Sequence, residues 1–382
     1  MIFRYRLFVI FGFYLGLVVA LPASNWPSWR GDLAGSGIVS DNSVPLKWDR
    51  KKNITWRAPL PDRGNSSPII WGDKLFITQA TDADKRRSVM CFNKLTGTML
   101  WQKGLIYNKK EMTHQTNPYC SGSPVTDGRM VIANYASAGI VAYDMEGEEV
   151  WRRDLGPQVH VWGNGTSPVL YNDICVIYHG PGPNSTLYGL DKLSGQTLWK
   201  HKIEEKDDPK RVDGFRGGNG GIVGAFTTPI VIKVKSRSEI IISGANSLRA
   251  FSPDEGKELW WCKGLNPLVY TSPVFDENVV LSMGGYFGAS IAINPGGEGD
   301  VTSKRIWRDP RSKKNRLGTP VIRNGYAYFV NMSGFAECLD MKTGEIIFEE
   351  RLTSTGNNSA AWASPILVDD KVYVTNQSGD TN

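Results

Sequence analysis

Short stretches in which apolar and polar positions alternate recur along this chain, each bounded by Asn, Asp, Gly or Pro. A period of two marks a half-buried β-strand. In Ser167-Pro168-Val169-Leu170-Tyr171-Asn172-Asp173-Ile174-Cys175-Val176-Ile177-Tyr178, apolar runs flank an Asn-Asp step, which reads as two strands and a tight turn. Leu187-Tyr188-Gly189-Leu190-Asp191 gives a third strand and Gln196-Thr197-Leu198-Trp199 a fourth, with Gly195 suited to the turn between them.

The unit repeats. Seven Ser/Thr-Pro steps open it, at Ser67, Ser123, Ser167, Thr228, Ser272, Thr319 and Ser364, with their prolines 56, 44, 61, 44, 47 and 45 residues apart. Six of the seven are followed, 27 to 34 residues later, by a Trp or Phe at the fourth strand: Trp101, Trp151, Trp199, Trp260, Trp307 and Phe348. An all-strand repeat near 45 residues is the signature of a β-propeller. The expected fold class is all-β, a seven-bladed propeller (eight blades as the alternative) of four-stranded antiparallel blades, in one domain over residues 24–382. Trp56 looks like a fourth strand without its first three, of the kind that completes the last blade and closes the ring. Only 17 residues follow Pro365. The last blade is therefore expected to be incomplete at its C-terminal side, with strand three missing or barely begun.

Residues 1–23 read as a secretory signal: Arg4 and Arg6 precede an uncharged apolar run of 14 residues that exits at Ala20 or Ala23. That run is short for a membrane span of roughly 20 residues, and an uncleaved anchor is the alternative. Removing the leader takes two arginines and leaves 42 basic against 38 acidic residues, a net +4. No concentrated basic stripe suits nucleic acid, and the basic run at 305–316 reads as a solvated loop. Five cysteines in an exported chain argue against a complete disulfide framework, and Cys91 and Cys338 hold matching strand positions suited to a core.

Binding residues are sought where the repeat is embellished. Two connections between blades are long, at 102–122 and 200–227, and both fall on one face of the disc. The first carries His114, Asn117 and Tyr119, and the second Arg211, Phe215, Arg216 and a glycine run. The residues just before each step should rim the channel: Asn65, Tyr119, Trp162, Asn164, Phe226, Tyr270, Leu317 and Trp362, with Arg316 close by. The candidate binding face is thus His114, Asn117, Tyr119, Trp162, Asn164, Arg211, Phe215, Arg216, Phe226, Tyr270, Arg316 and Trp362. Such aromatics suit a peptide strand, a glycan or a small aromatic ligand. The plainer reading is that they plug a channel that would otherwise be a void.

Other chemistry has no motif. Four histidines occur without Cys-x-x-Cys or His-Glu-x-x-His, so no zinc site is indicated. No Gly-x-Ser-x-Gly elbow or Gly-x-x-x-x-Gly-Lys-(Ser/Thr) loop is present. The glycines of 214–224 neither follow a strand nor open a helix, so they read as a loop and not a phosphate cradle.

The unit Leu-Asp-x-x-(Ser/Thr)-Gly-x-x-Leu-Trp at 190–199 resembles the pyrroloquinoline quinone (PQQ)-type propeller repeat of the BamB and quinoprotein superfamily. The opening Trp26-Pro27-Ser28-Trp29-Arg30-Gly31 and the run 59–68 are similar to exported PQQ-like repeat proteins of planctomycetes. The quinoprotein side of that resemblance implies PQQ on an indole, Ca²⁺ held by carboxylate and amide oxygens, an Asp base and often a Cys-Cys pair. No Cys-Cys pair occurs, and no Asp or Glu stands among the rim positions, whereas Ca²⁺ wants carboxylates. The expected protein is therefore a non-catalytic scaffold or ligand-binding module, periplasmic or extracellular, with no cofactor. Its partner would be an envelope or secreted protein, or a small ligand or glycan at the channel mouth, and it would be a monomer without nucleic acid. The alternatives are a PQQ- and Ca²⁺-dependent oxidoreductase and a carbohydrate-binding propeller.

Overall fold

The computed structural model describes residues 25–39, 44–211, 213, 215, 222–310, 314–354, 356 and 359–382. The expected leader and Arg216 lie outside the described residues. Each Ser/Thr-Pro step opens a sheet, as the repeat predicts. Six sheets hold four antiparallel strands in chain order. The third, for example, is Val169–Tyr171, Ile174–His179, Thr186–Asp191 and Thr197–Lys202. The fourth sheet gains a fifth strand, Gly299–Asp300, which pairs parallel to Trp260 and Trp261. A further sheet has three strands, Ile38–Val39, Ile366–Val368 and Lys371–Tyr373. The C-terminal repeat supplies two of these, as expected, and the parallel third comes from the N-terminal side.

The core lies between the sheets. Val176, Tyr178 and Leu187 of the third pack in one cluster with Ile230, Ile232 and Ile240 of the fourth and Val280 and Ile291 of the fifth. All five cysteines are buried and free.

Two polar devices link each sheet to the next. The first is made by the steps themselves. The amide of each step Ser/Thr donates to the hydroxyl of the following one: Ser67 to Ser123 (2.8 Å), Ser123 to Ser167 (2.9 Å), Ser167 to Thr228 (3.1 Å), Thr228 to Ser272 (2.8 Å), Ser272 to Thr319 (3.0 Å) and Thr319 to Ser364 (3.0 Å). The proline that follows has no N–H to offer, so the hydroxyl satisfies an inner-rim donor that no ladder reaches.

The second device is the fourth-strand Trp. Its indole N–H donates to a carbonyl in the last turn of the following sheet: Trp101 to Met145 (3.2 Å), Trp151 to Lys192 (2.8 Å), Trp199 to Pro253 (2.9 Å) and Trp307 to Met341 (2.8 Å). The turn glycine lies flat beneath the indole. A Cβ on Gly195 would sit 2.6 Å from Trp151, and φ there is +71°. Only glycine meets both demands.

Trp56 requires a correction. Its indole donates to Lys94 (2.8 Å) and covers Gly97 of the first sheet, yet residues 54–60 pair with no strand. It therefore does not complete the last sheet. Trp260 departs differently, donating to the buried Glu239 carboxylate (2.9 Å) inside its own sheet. Phe348 has no such turn to meet among the described residues and stays half-exposed.

The N-terminal segment braces one end of the axis. Trp26 bridges to Ile70, Pro27 accepts from the Thr126 amide, and Leu33 accepts from the Val231 amide. Buried Arg30 gives its five N–H groups to the carbonyls of Gly35, Ser36, Thr319, Pro320 and Pro365 at 2.7–3.2 Å. One guanidinium thus ties this segment to the last two sheets. With no carboxylate bonded to it, burial lowers its pKa to about 9.

Candidate functional site

The repeats surround a cavity of about 1360 Å³ lined by the loop that leads into each repeat, with Trp26, Trp29 and Trp48 of the N-terminal segment and Ile70 of the first sheet. A simple positional rule places its lining. The residue two before each step hydroxyl faces in at all seven repeats: Asn65, Ser121, Gly165, Phe226, Tyr270, Leu317 and Trp362. The step hydroxyls of Ser67, Thr228, Ser272, Thr319 and Ser364 line it as well. Both rows face the channel because extended backbone turns alternate residues to the same side.

The lining is two-sided. At this position the last four repeats carry Phe226, Tyr270, Leu317 and Trp362, and the first three carry the smaller Asn65, Ser121 and Gly165, beside which Trp26 and Ile70 add apolar surface. A Cβ on Gly165 would meet nothing within 4 Å. From the turn at 160–165, Trp162 reaches across to stack on Tyr270 with ring centroids 5.9 Å apart. Phe226 is nearly parallel to Tyr270 at 5.6 Å, and Phe215 meets Trp162 edge-on at 5.1 Å. Tyr286 closes the cluster, 5.3 Å from Tyr270 and 5.7 Å from Phe215. All five rings remain partly exposed, so they line the cavity without filling it. The hydroxyl of Tyr270 and the indole N–H of Trp362 find no partner among the described residues. Burial raises the Tyr270 hydroxyl far above the usual phenol range, so it remains a donor.

Of the sequence-expected residues, His114, Asn117, Trp162, Phe215, Phe226, Tyr270 and Trp362 come together in this cavity, with the expected rim residues Asn65 and Leu317. Tyr119, Asn164, Arg211 and Arg316 do not. Tyr119 faces a separate buried pocket, its ring 3.9 Å from the Arg87 guanidinium. Asn164 donates to the Gly180 carbonyl at 2.6 Å and tethers its own turn. Arg211 is buried in a two-pronged pair with Asp213 (2.8 and 2.9 Å) and meets Asp207 at 2.7 Å. Arg316 is buried against Glu337 at 2.6 Å beneath Phe329. Both arginines brace their loops; neither offers its charge to the mouth.

The amides of Asn65 and Asn117 clasp one loop to the next, donating to the Thr116 carbonyl and to those of Trp162 and Asn164. Tyr286 and His160 are among the residues that escaped the sequence reading. Tyr286 sits in the strand-two to strand-three turn, where Gly285 allows the Tyr270 ring within 2.3 Å of a would-be Cβ; that glycine-rich turn was the available signal. His160 packs edge-on to Phe226 at 5.1 Å, and burial lowers its pKa to about 4, leaving it neutral.

Sheets of this order around an axial cavity define a β-propeller. A family model described as "Outer membrane protein assembly factor BamB" matches residues 38–180 and 183–381, and the chain belongs to that family of PQQ-type repeat propellers. Among solved structures it is similar to BamB from Moraxella catarrhalis, with 15% identity, a TM-score of 0.56, and coverage of 83% of this chain and 80% of that one. It is also similar to a europium-containing methanol dehydrogenase, with 12% identity, a TM-score of 0.50, and coverage of 93% and 89%. A curated relative, a polyvinylalcohol dehydrogenase from a Pseudomonas species, is 19% identical over 346 residues, which cover 77% of this chain. The chain spans about half the length of that relative (52%). Neither named organism is a planctomycete. No helix among the described residues is long and apolar enough to cross a membrane.

Do the lining residues fit PQQ and Ca²⁺? The described lining includes no Asp or Glu, and the described residues hold no cluster of three or more metal-ligating His, Cys, Asp or Glu side chains. Of the lining cations, Arg30 has every N–H committed to a carbonyl, which leaves Lys94. A quinone with anionic groups beside a hard cation finds few of its usual ligands in this set. The described residues do not fit it.

Proposed function

We propose that this chain is an exported, non-catalytic propeller that serves at the cell envelope as a binding module, for a ligand or for a segment of a partner protein. The observation that carries the reading is the make-up of the cavity: aromatic faces and hydroxyls converge on it, and no carboxylate stands in its described lining. Membership of a family described by an assembly factor supports a scaffold role. A quinoprotein oxidoreductase is the rival, favoured by the dehydrogenase relative. The test is to add PQQ and Ca²⁺ to the purified protein and follow absorbance and dye-linked alcohol oxidation. We expect no bound chromophore and no turnover. A chromophore with turnover would overturn the reading.

A further inference from the structure

We infer that the cavity takes a neutral oligosaccharide, laid against the wall formed by the fourth to last repeats; this rests on the binding-module reading above. On that wall, apolar faces and hydroxyl donors come in paired rows two residues apart: Phe226 with Thr228, Tyr270 with Ser272, Trp362 with Ser364. The hydroxyls of Thr228, Ser272, Thr319 and Ser364 each accept the amide of the preceding step. None of them donates to a protein acceptor among the described residues, so each keeps an uncommitted O–H, open to a ligand at the partly exposed Ser364 and nearly covered at Thr228, Ser272 and Thr319.

A sugar ring has complementary parts. Its C–H face stacks on an aromatic ring, and its oxygens accept hydroxyl donors around the edge. Trp162 and Tyr270, stacked at 5.9 Å and both partly exposed, offer the platform. Charge selects the class. A buried ionic ligand needs a partner charge, yet the described lining lacks carboxylates and the Arg30 guanidinium is saturated by carbonyls, which leaves Lys94 of the first sheet and no charge on the wall of the fourth to last repeats. Size selects the length. At about 1360 Å³ the space exceeds the roughly 300–1,000 Å³ typical of a small-molecule pocket, which suits several linked rings.

The experiment titrates the full chain with cellohexaose, maltohexaose and chitohexaose, and with an acidic hexagalacturonate, by calorimetry and tryptophan fluorescence. At least one neutral hexasaccharide should bind and perturb the fluorescence. Trp162→Ala, in a surface turn, should weaken it about tenfold, the loss of one stacking face, with its melting temperature confirming that it folds. The inference is overturned if no neutral probe binds at millimolar concentration, if only the acidic one binds, or if Trp162→Ala leaves the affinity unchanged. None of these outcomes touches the non-catalytic reading, which falls separately on dye reduction with PQQ and Ca²⁺.

Discussion

Replacing Gly195 by alanine tests whether the Trp-on-glycine contact holds neighbouring sheets together. Gly195 has φ +71°, and a Cβ there would lie 2.6 Å from Trp151 Cε3 and 2.7 Å from its Cδ2. Gly72 supplies the control, with φ +59° and nothing within 4 Å of its would-be Cβ. Alanine at either site bears the left-handed backbone cost of about 1–2 kcal/mol, partly offset by a less flexible unfolded chain. Gly195→Ala must in addition displace an indole that is 8% exposed and bonded to Lys192 at 2.8 Å. Forcing a methyl into a filled contact costs about 1–3 kcal/mol, and a strained indole hydrogen bond about 1 more. Gly195→Ala should therefore cost about 2–4 kcal/mol beyond Gly72→Ala in urea denaturation, with the transition followed by both fluorescence and circular dichroism. Equal losses for the two variants would refute the contact as a source of stability.

Two further outcomes are expected. Arg30→Lys exchanges five forked N–H donors for three on a flexible stem, leaving at least two of the carbonyls of Gly35, Ser36, Thr319, Pro320 and Pro365 without their partner; urea denaturation should show a loss of about 2–4 kcal/mol, and a loss under about 0.5 kcal/mol would sink the brace. His160 and His179 are buried, and burial lowers both to about 4. Because their folded pKa values lie below the unfolded value of about 6.5, the stability they contribute is full above pH 6.5 and is lost as pH falls toward 4; melting temperatures over that window should drop, and His179→Gln should flatten the drop.

The fold was legible because its two connecting devices are written in the repeat itself. A Ser/Thr before Pro and a Gly ahead of each Trp recur at spacings the eye can follow. Trp56 shows where that legibility ends: indole docking and strand pairing go together in most repeats, but here a Trp docks on Gly97 without any strand. The site was half legible. In the two repeats with irregular approaches the reading favoured large side chains, Tyr119 and Asn164, where Ser121 and Gly165 hold the inward position. Arg211 and Arg316 look like free cations in sequence. Their partners Asp213 and Glu337 are two and 21 residues away, and only the folded loops decide that the charges are already used.

Symmetry in the repeat also says where specificity can reside. The step hydroxyl and its proline cannot vary freely, since from Ser123 onward each hydroxyl holds the amide of the repeat before it. The residue two positions earlier has no such duty and runs through Asn, Ser, Gly, Phe, Tyr, Leu and Trp around the ring. A void-filling role would be met by bulk at every position. Instead the bulk at this position is gathered in the last four repeats and the first three are small, with a glycine whose Cβ space is open. An arrangement that is uniform where the scaffold needs it and lopsided at the channel is what a cavity shaped for an amphipathic guest requires. Filling Gly165 with a large side chain should therefore impair binding while leaving the hydrogen bonds from step to step intact.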